Sequence, residues 1–366
     1  MLLRRAKALR SRRGGGLQDN SSLPLLVFRE LKVIQIMRTL ASVQKISNLE
    51  PIINAEAIEK ATVLGWSVVV KKGEFKDGDL CVYVEIDSIL PPKPEFSFLE
   101  KNKYRIKTVR LRGQISQGIC FPLSILPAGN YIEGQNVTEI LGIIKYEPPI
   151  PAHLAGKIIG PFPSFIPKTD EARIQSCPQI LPRYKNTELY VTEKVDGTSM
   201  TVFVKDGVVT VCSRKLCLAR DANNTLWQIS EILDLEKKLK DSGQKFALQG
   251  ELVGEGVQQN TLKIKGQKYF IFNIYDFVVG RYLNWEDVRK TASSWDLETV
   301  PMVADSYRLP NTVDDIVSFA TRKSVVNPDS WAEGFVFRPK TETYDEDLGR
   351  LSFKVVNPEF LLHYGE

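Results

Sequence analysis

The stretch EPPIPAHLAGKIIGPFPSFIP, residues 147–167, holds six prolines. Proline lacks a backbone donor and clashes with the preceding helical turn, so this segment can sustain neither a helix nor a central strand. The chain must therefore fold separately on either side of it. A length of 366 residues agrees, since it exceeds what one hydrophobic core usually organises. The division expected is a leader at 1–36, a first domain at 37–146, a Pro-rich linker at 147–169 and a second domain at 170–366.

Composition excludes several classes of function. The five cysteines (81, 120, 177, 212 and 217) are odd in number and form no CxxC pair, which points to free thiols in a reducing compartment. His153 and His363 are the only histidines, so imidazole-based triads and His-rich metal sites have little to build on. Chemistry must run on lysine, arginine and carboxylates. No apolar run approaches the roughly 20 residues that span a bilayer. The net charge of +5 arises in the first 18 residues, which carry six Lys or Arg and no acid. Such a leader looks like a mitochondrial transit peptide or a disordered extension, and Met37 offers a second start. The remainder is almost neutral, so a nucleic-acid partner would need local basic patches.

Residues 37–146 read as all-β. WSVVVKK (66–72), LCVYVEID (80–87), YRIKTVRLRG (104–113) and QGICFPL (117–123) are short, β-branched or aromatic, and separated by turn signals. About five such strands fit a small OB-like barrel. In KNKYRIKTVRLRG the cations Lys101, Lys103, Arg105 and Lys107 alternate, so one strand face would carry them while Tyr104 and Ile106 enter the barrel. Arg110 and Arg112 would continue this stripe, a surface suited to RNA phosphates or to plain solvation.

Beyond the linker, strands and helices mix without a regular βαβ rhythm, as in an α+β domain of antiparallel sheets. TVFVKDGVVTVCSR (201–214) is a hairpin about Asp206-Gly207. Residues 225–243 read as one helix that stops at Gly243, with Leu226, Ile229, Ile232 and Leu233 on its inner face. Further strands are expected at 245–254, 268–280, 334–339 and 350–356. Almost every one carries a charge where an interior strand should be apolar: Lys194 with Asp196, then Arg214, Glu251, Asp276, Glu333 and Lys354. Buried charges persist only when paired or occupied by a ligand, so these outline a polar cleft between two sheets.

EKVDG (193–197) resembles the KxDG motif of covalent nucleotidyltransferases, the superfamily of ATP-dependent ligases and capping enzymes. CSRK (212–215), LQGELVG (248–254), FNIYDF (272–277), EGFVF (333–337) and SFKVV (352–356) follow in the order of that superfamily's other motifs. Only 12 residues follow Lys354, which leaves no room for the OB domain that DNA ligases and capping enzymes carry there. A barrel before the motifs is similar instead to the Naegleria-type RNA ligases. The resemblance implies an α+β protein: an N-terminal OB-like β-barrel followed by a nucleotidyltransferase (ATP-grasp-like ligase) domain of antiparallel sheets with flanking helices. One departure is Ser352, where many relatives have a lysine two residues before Lys354.

The resemblance implies that Lys194 attacks the α-phosphate of ATP, with Lys354 and Arg173 as further catalytic residues and Lys215 beside them. Glu193, Lys194, Gly197, Arg214, Glu251, Phe272, Glu333 and Lys354 would bind the nucleotide. A free lysine amine titrates near 10.4 and must be deprotonated to attack. Mg²⁺ (or Mn²⁺) beside Lys194 would favour that, held through water by Asp196, Glu251 and Glu333. The implied partner is RNA with nicked or broken 5′-phosphate and 3′-hydroxyl ends, met by a monomer in the cytoplasm, or in mitochondria if the leader is a transit peptide. Alternatives are a DNA-nick or RNA-editing ligase of the same superfamily, and a non-catalytic RNA-binding protein whose barrel does the work.

Overall fold

The computed structural model describes residues 39–365 apart from Pro148 and Pro151. The Arg-rich leader and the Met37 start lie outside the described residues. No described helix is long and apolar enough to cross a membrane.

The first body is an OB-fold. Strands Trp66–Lys71, Ile58–Val63, Ala41–Pro51, Leu80–Val84 and Ile119–Pro122 lie side by side in that order, all antiparallel. Alternation puts Val43, Val63, Trp66, Val68, Val82 and Val84 in its core, each at most 1% exposed. A hairpin of Thr108–Leu111 with Gln114–Gln117 folds across the open side, where Ser116 Oγ accepts from Val69 N at 2.9 Å.

The basic stripe does not form. Residues Pro94–Asn102 are 3₁₀-helical, and Lys103 and Tyr104 follow with φ of 53° and 59°. Two left-handed residues in succession break the alternation, so the strand starts only at Thr108. Arg105 is 8% exposed, ion-paired to Asp87 and stacked over Tyr146, while Arg112 sits in the hairpin turn. Of the stripe, Lys101 and Lys103 are exposed and Arg110 pairs with Glu359.

The second body has two large sheets and a two-stranded ribbon, Tyr344–Asp345 with Gly349–Arg350. In the larger, strands run Ile158–Pro161, Leu216–Leu218, Val208–Cys212, Thr198–Lys205, Phe246–Gly254, Gln267–Asp276 and Arg281–Tyr282. Against expectation the Pro-rich segment holds a single helical turn, Ala152–Ala155, between its prolines, and it contributes an edge strand, where a missing donor is harmless. The smaller sheet runs Ala172–Arg173, Phe353–Val356, Gly334–Pro339, Leu189–Lys194 and Met302–Tyr307, with one parallel pair at Ala172–Arg173. Asp206 and Gly207 make the expected hairpin turn, with φ of 50° and 78°.

Residues 225–243 form two helices rather than one, Thr225–Ile232 and Leu235–Asp241. Asp234 at φ 51° turns the chain between them, and this leaves Ile232 73% exposed instead of facing the core. Asn224 caps the first by accepting from Leu226 N and Trp227 N. After the strand Phe353–Val356, the helix Pro358–Tyr364 is capped by Asn357 and inserts Phe360 and Leu361 into the barrel core. The last strand of the cleft is therefore anchored in the first body.

Candidate active site

Lys194 ends the strand Leu189–Lys194, and its register partner is Gly334. That places Glu333 beside it, with Glu333 Oε1 2.5 Å from Lys194 Nζ. A β-carbon at Gly334 would lie 2.3 Å from Val355 O, so only glycine lets the neighbouring strands close here. Gly197 has the same constraint, since a β-carbon there would lie 2.3 Å from Leu252 O and 3.0 Å from the Glu251 side chain. The turn after Lys194 can thus rest directly on the strand that carries Glu251.

Lys354 pairs in register with Val336 on one side and Arg173 on the other. Burial drives its ammonium well below the ordinary lysine range, and the cations Lys194, Arg173 and Arg214 add to this while Glu333 opposes it. Glu251, on the facing sheet, shows the mirror effect. Burial pushes its carboxyl up to about 8, Lys194 resists, and the carboxylates of Glu333 and Asp196 raise it further. Asp196 accepts from Thr261 Oγ1 at 3.2 Å. The cleft therefore gathers Lys194, Lys354 and Arg173 against Glu251, Glu333 and Asp196.

Other expected residues lie outside the cleft, except Arg214, whose charge acts on Lys354 and Glu251 from the rim. Glu193 adjoins Lys194 on the strand and so points to the opposite face, where it accepts from Val325 N at 2.8 Å. Burial raises its carboxyl. Arg214 is half-exposed and paired with Asp170, and Lys215 is paired with Glu147. Phe272 is the extra residue of a β-bulge opposite Gln249 and Gly250, half-buried against the core of the large sheet. Asp276 is not part of the cleft. It ends its strand and accepts from Val278 N and Val279 N, capping a turn, which explains a charge in that sequence without a ligand.

Sequence reading missed a second polar layer. Arg338 is 2% exposed and donates to Glu171 at 2.8 Å and to Ser352 Oγ at 2.9 Å. Arg350 donates to Glu342 at 2.7 Å and to Asn273 Oδ1 at 3.0 Å. The signal was available, because Arg338 and Arg350 lie within the strands expected at 334–339 and 350–356. The structure also explains Ser352: a lysine there would meet the Arg338 guanidinium.

The residues present suit a hydrated divalent cation. Glu333 Oε2 is buried with no hydrogen-bond partner, and three carboxylates crowd one lysine. Among the described residues no three Asp, Glu, His or Cys side chains form a group that could hold a metal ion directly.

A two-sheet cleft with a lysine at its mouth, behind an OB-fold, defines a nucleotidyltransferase of the ligase class. A family model described as RNA ligase matches residues 187–356, and one described as an OB-fold domain matches residues 40–123. The chain belongs to the RNA ligase family. Solved structures of Naegleria gruberi RNA ligase are similar over nearly its whole length. A mutant without ligand is 37% identical over 90% of this chain and 99% of that one, with a TM-score of 0.82. A mutant with AMP and Mn gives 37%, 90%, 100% and 0.83 in the same order. The form with pyrophosphate gives 38%, 90%, 100% and 0.83. No curated protein matches the chain.

Proposed function

We propose that this RNA ligase uses ATP and a divalent cation, Mg²⁺ or Mn²⁺, to join RNA 3′-hydroxyl and 5′-phosphate ends in repair, working as a monomer. The single observation that carries this is the convergence of Lys194, Lys354 and Arg173 with Glu251, Glu333 and Asp196 in one cleft. Five buried free thiols suit a reducing compartment, cytoplasmic or mitochondrial.

In the first step the Lys194 amine attacks the α-phosphate, the bond to the β-phosphate breaks, and pyrophosphate leaves. The Lys194–Glu333 pair must open for this, because an ammonium has no lone pair. A cation held through water by Glu251, Glu333 and Asp196 would supply charge that favours the neutral amine. Lys354 and Arg173 neutralise the phosphates, since a partly desolvated cation gains most from an anion. AMP then passes from Lys194 to the RNA 5′-phosphate, and the 3′-hydroxyl displaces it to form the phosphodiester.

Incubation with ATP labelled at the α-phosphate tests the reading. The protein should become covalently labelled, Lys194→Ala should not, and Lys194→Ala should still seal pre-adenylylated RNA. Labelling that survives in Lys194→Ala sinks the proposal. Nicked duplexes with RNA or DNA on the 3′-hydroxyl side separate RNA joining from DNA-nick sealing.

A further inference from the structure

The barrel touches the cleft through Asp87, just beyond the strand Leu80–Val84. Its backbone adopts φ 67°, a left-handed conformation that aspartate tolerates better than most residues. Asp87 N donates to Ile106 O at 2.9 Å, and Asp87 O accepts from Tyr146 N at 2.7 Å. The carboxylate then serves two guanidiniums: Oδ1 accepts from Arg105 Nη2 at 3.1 Å, and Oδ2 accepts from Arg173 Nη2 at 2.9 Å. Arg105 is itself held, 3.5 Å from the centroid of the Tyr146 ring.

Two further barrel residues grip the same short segment. Glu85 accepts from Ser176 Oγ at 2.7 Å, and Gly65 N donates to Gln175 O at 2.9 Å. Residues 173–176 are thus pinned from the barrel side while Arg173 lies in sheet register with Lys354. Arginine has many rotamers, and a charge-assisted bond to a fixed carboxylate removes that freedom before the substrate arrives.

We infer that Asp87 is a positioning residue for adenylyl transfer: it holds Arg173 beside Lys354, so that the barrel takes part in the first step. This rests on the role given to Arg173 above. A staple between domains would have a different signature, since it would affect every step alike.

The test uses the full chain carrying Asp87→Asn, which keeps the backbone preference and one acceptor but loses the charge. Single-turnover labelling by ATP should slow about tenfold or more, the scale of a misplaced catalytic group. Sealing of pre-adenylylated nicked RNA should keep its rate. Added to Arg173→Ala, the substitution should bring no further slowing of labelling. Should Asp87→Asn not fold, Asp87→Glu keeps the charge balancing Arg105 and should show the same split between steps. Labelling at the normal rate in Asp87→Asn, beside a defect in Arg173→Ala, overturns this inference alone. Equal slowing of both steps, or multiplied defects in the double variant, also overturns it. Normal labelling in Arg173→Ala overturns the reading of Arg173 and this inference with it.

Discussion

Two polar systems share the strands of the small sheet, and they are built on opposite principles. Toward one end, Arg338, Glu171, Ser352, Arg350, Glu342 and Asn273 close a buried network in which each charge meets its opposite. Although burial works against it, Arg338 and Arg350 hold the Glu171 carboxyl below its ordinary range. Toward the other end, Lys354 is driven down and Glu251 up, and Glu333 keeps a buried oxygen with no hydrogen bond. The first system is complete without a ligand. The second leaves Glu333 Oε2 without a hydrogen bond and Lys354 buried among other cations. Buried charge by itself does not mark a site; unbalanced buried charge does.

The largest effect should come from breaking the balanced network. Arg338→Ala leaves Glu171 buried without its partner and should cost about 3–5 kcal/mol in urea unfolding, with activity falling only as the folded fraction falls. Retained stability with lost ligation would move Arg338 into the unbalanced set.

Next in size, Lys354→Ala and Glu333→Ala should each lower labelling by ATP about a hundredfold or more, the scale of a preorganised electrostatic group. Their melting temperatures should stay near that of the unaltered protein. Stability lost in step with activity would make these residues a structural pair like Arg338 and Glu171.

A smaller effect separates the systems by pH. Glu251 has a folded pKa near 8 against an ordinary carboxylate value of 4.5. A raised pKa means the folded state binds the proton more tightly, so this contribution to stability is full below pH 4.5 and lost as pH rises through 8. In chelator, Glu251→Gln should therefore melt about 3 °C higher than the unaltered protein at pH 8.5, and the gap should shrink toward acid. An equal or lower melting temperature at pH 8.5 would show that Glu251 is already balanced.

The smallest effect belongs to the rim. Asp170→Asn removes the exposed partner of Arg214 and should change stability by only about 0–1 kcal/mol. Labelling at limiting ATP should hold or quicken as Arg214 is released. A marked slowing would show that the pair orients Arg214 rather than occupying it.

Local chemistry explains how much of this was legible beforehand. Gly334–Pro339 matches its strand to the residue, and the Asp206-Gly207 turn was clear, because both rest on neighbours in sequence. Glu251, Glu333 and Lys354 stood out as charges in apolar strands. The same rule misjudged Asp276, which caps a turn, and helical periodicity ran past Asp234, which divides the helix at 225–243. Alternation also suggested a basic stripe at 101–107, since nothing adjacent in sequence announces two left-handed residues.

Sequence alone determined which residue types could do chemistry and in what order they came along the chain. Motif spacing and strand alternation are local, so they survive without knowledge of the fold. Tertiary structure alone decided which charges were balanced. Asp87 lies 86 residues from Arg173, and Glu171 lies 167 from Arg338. Whether a buried charge is satisfied depends on partners that only the folded chain brings within about 3 Å, and no pattern along the sequence encodes that distance.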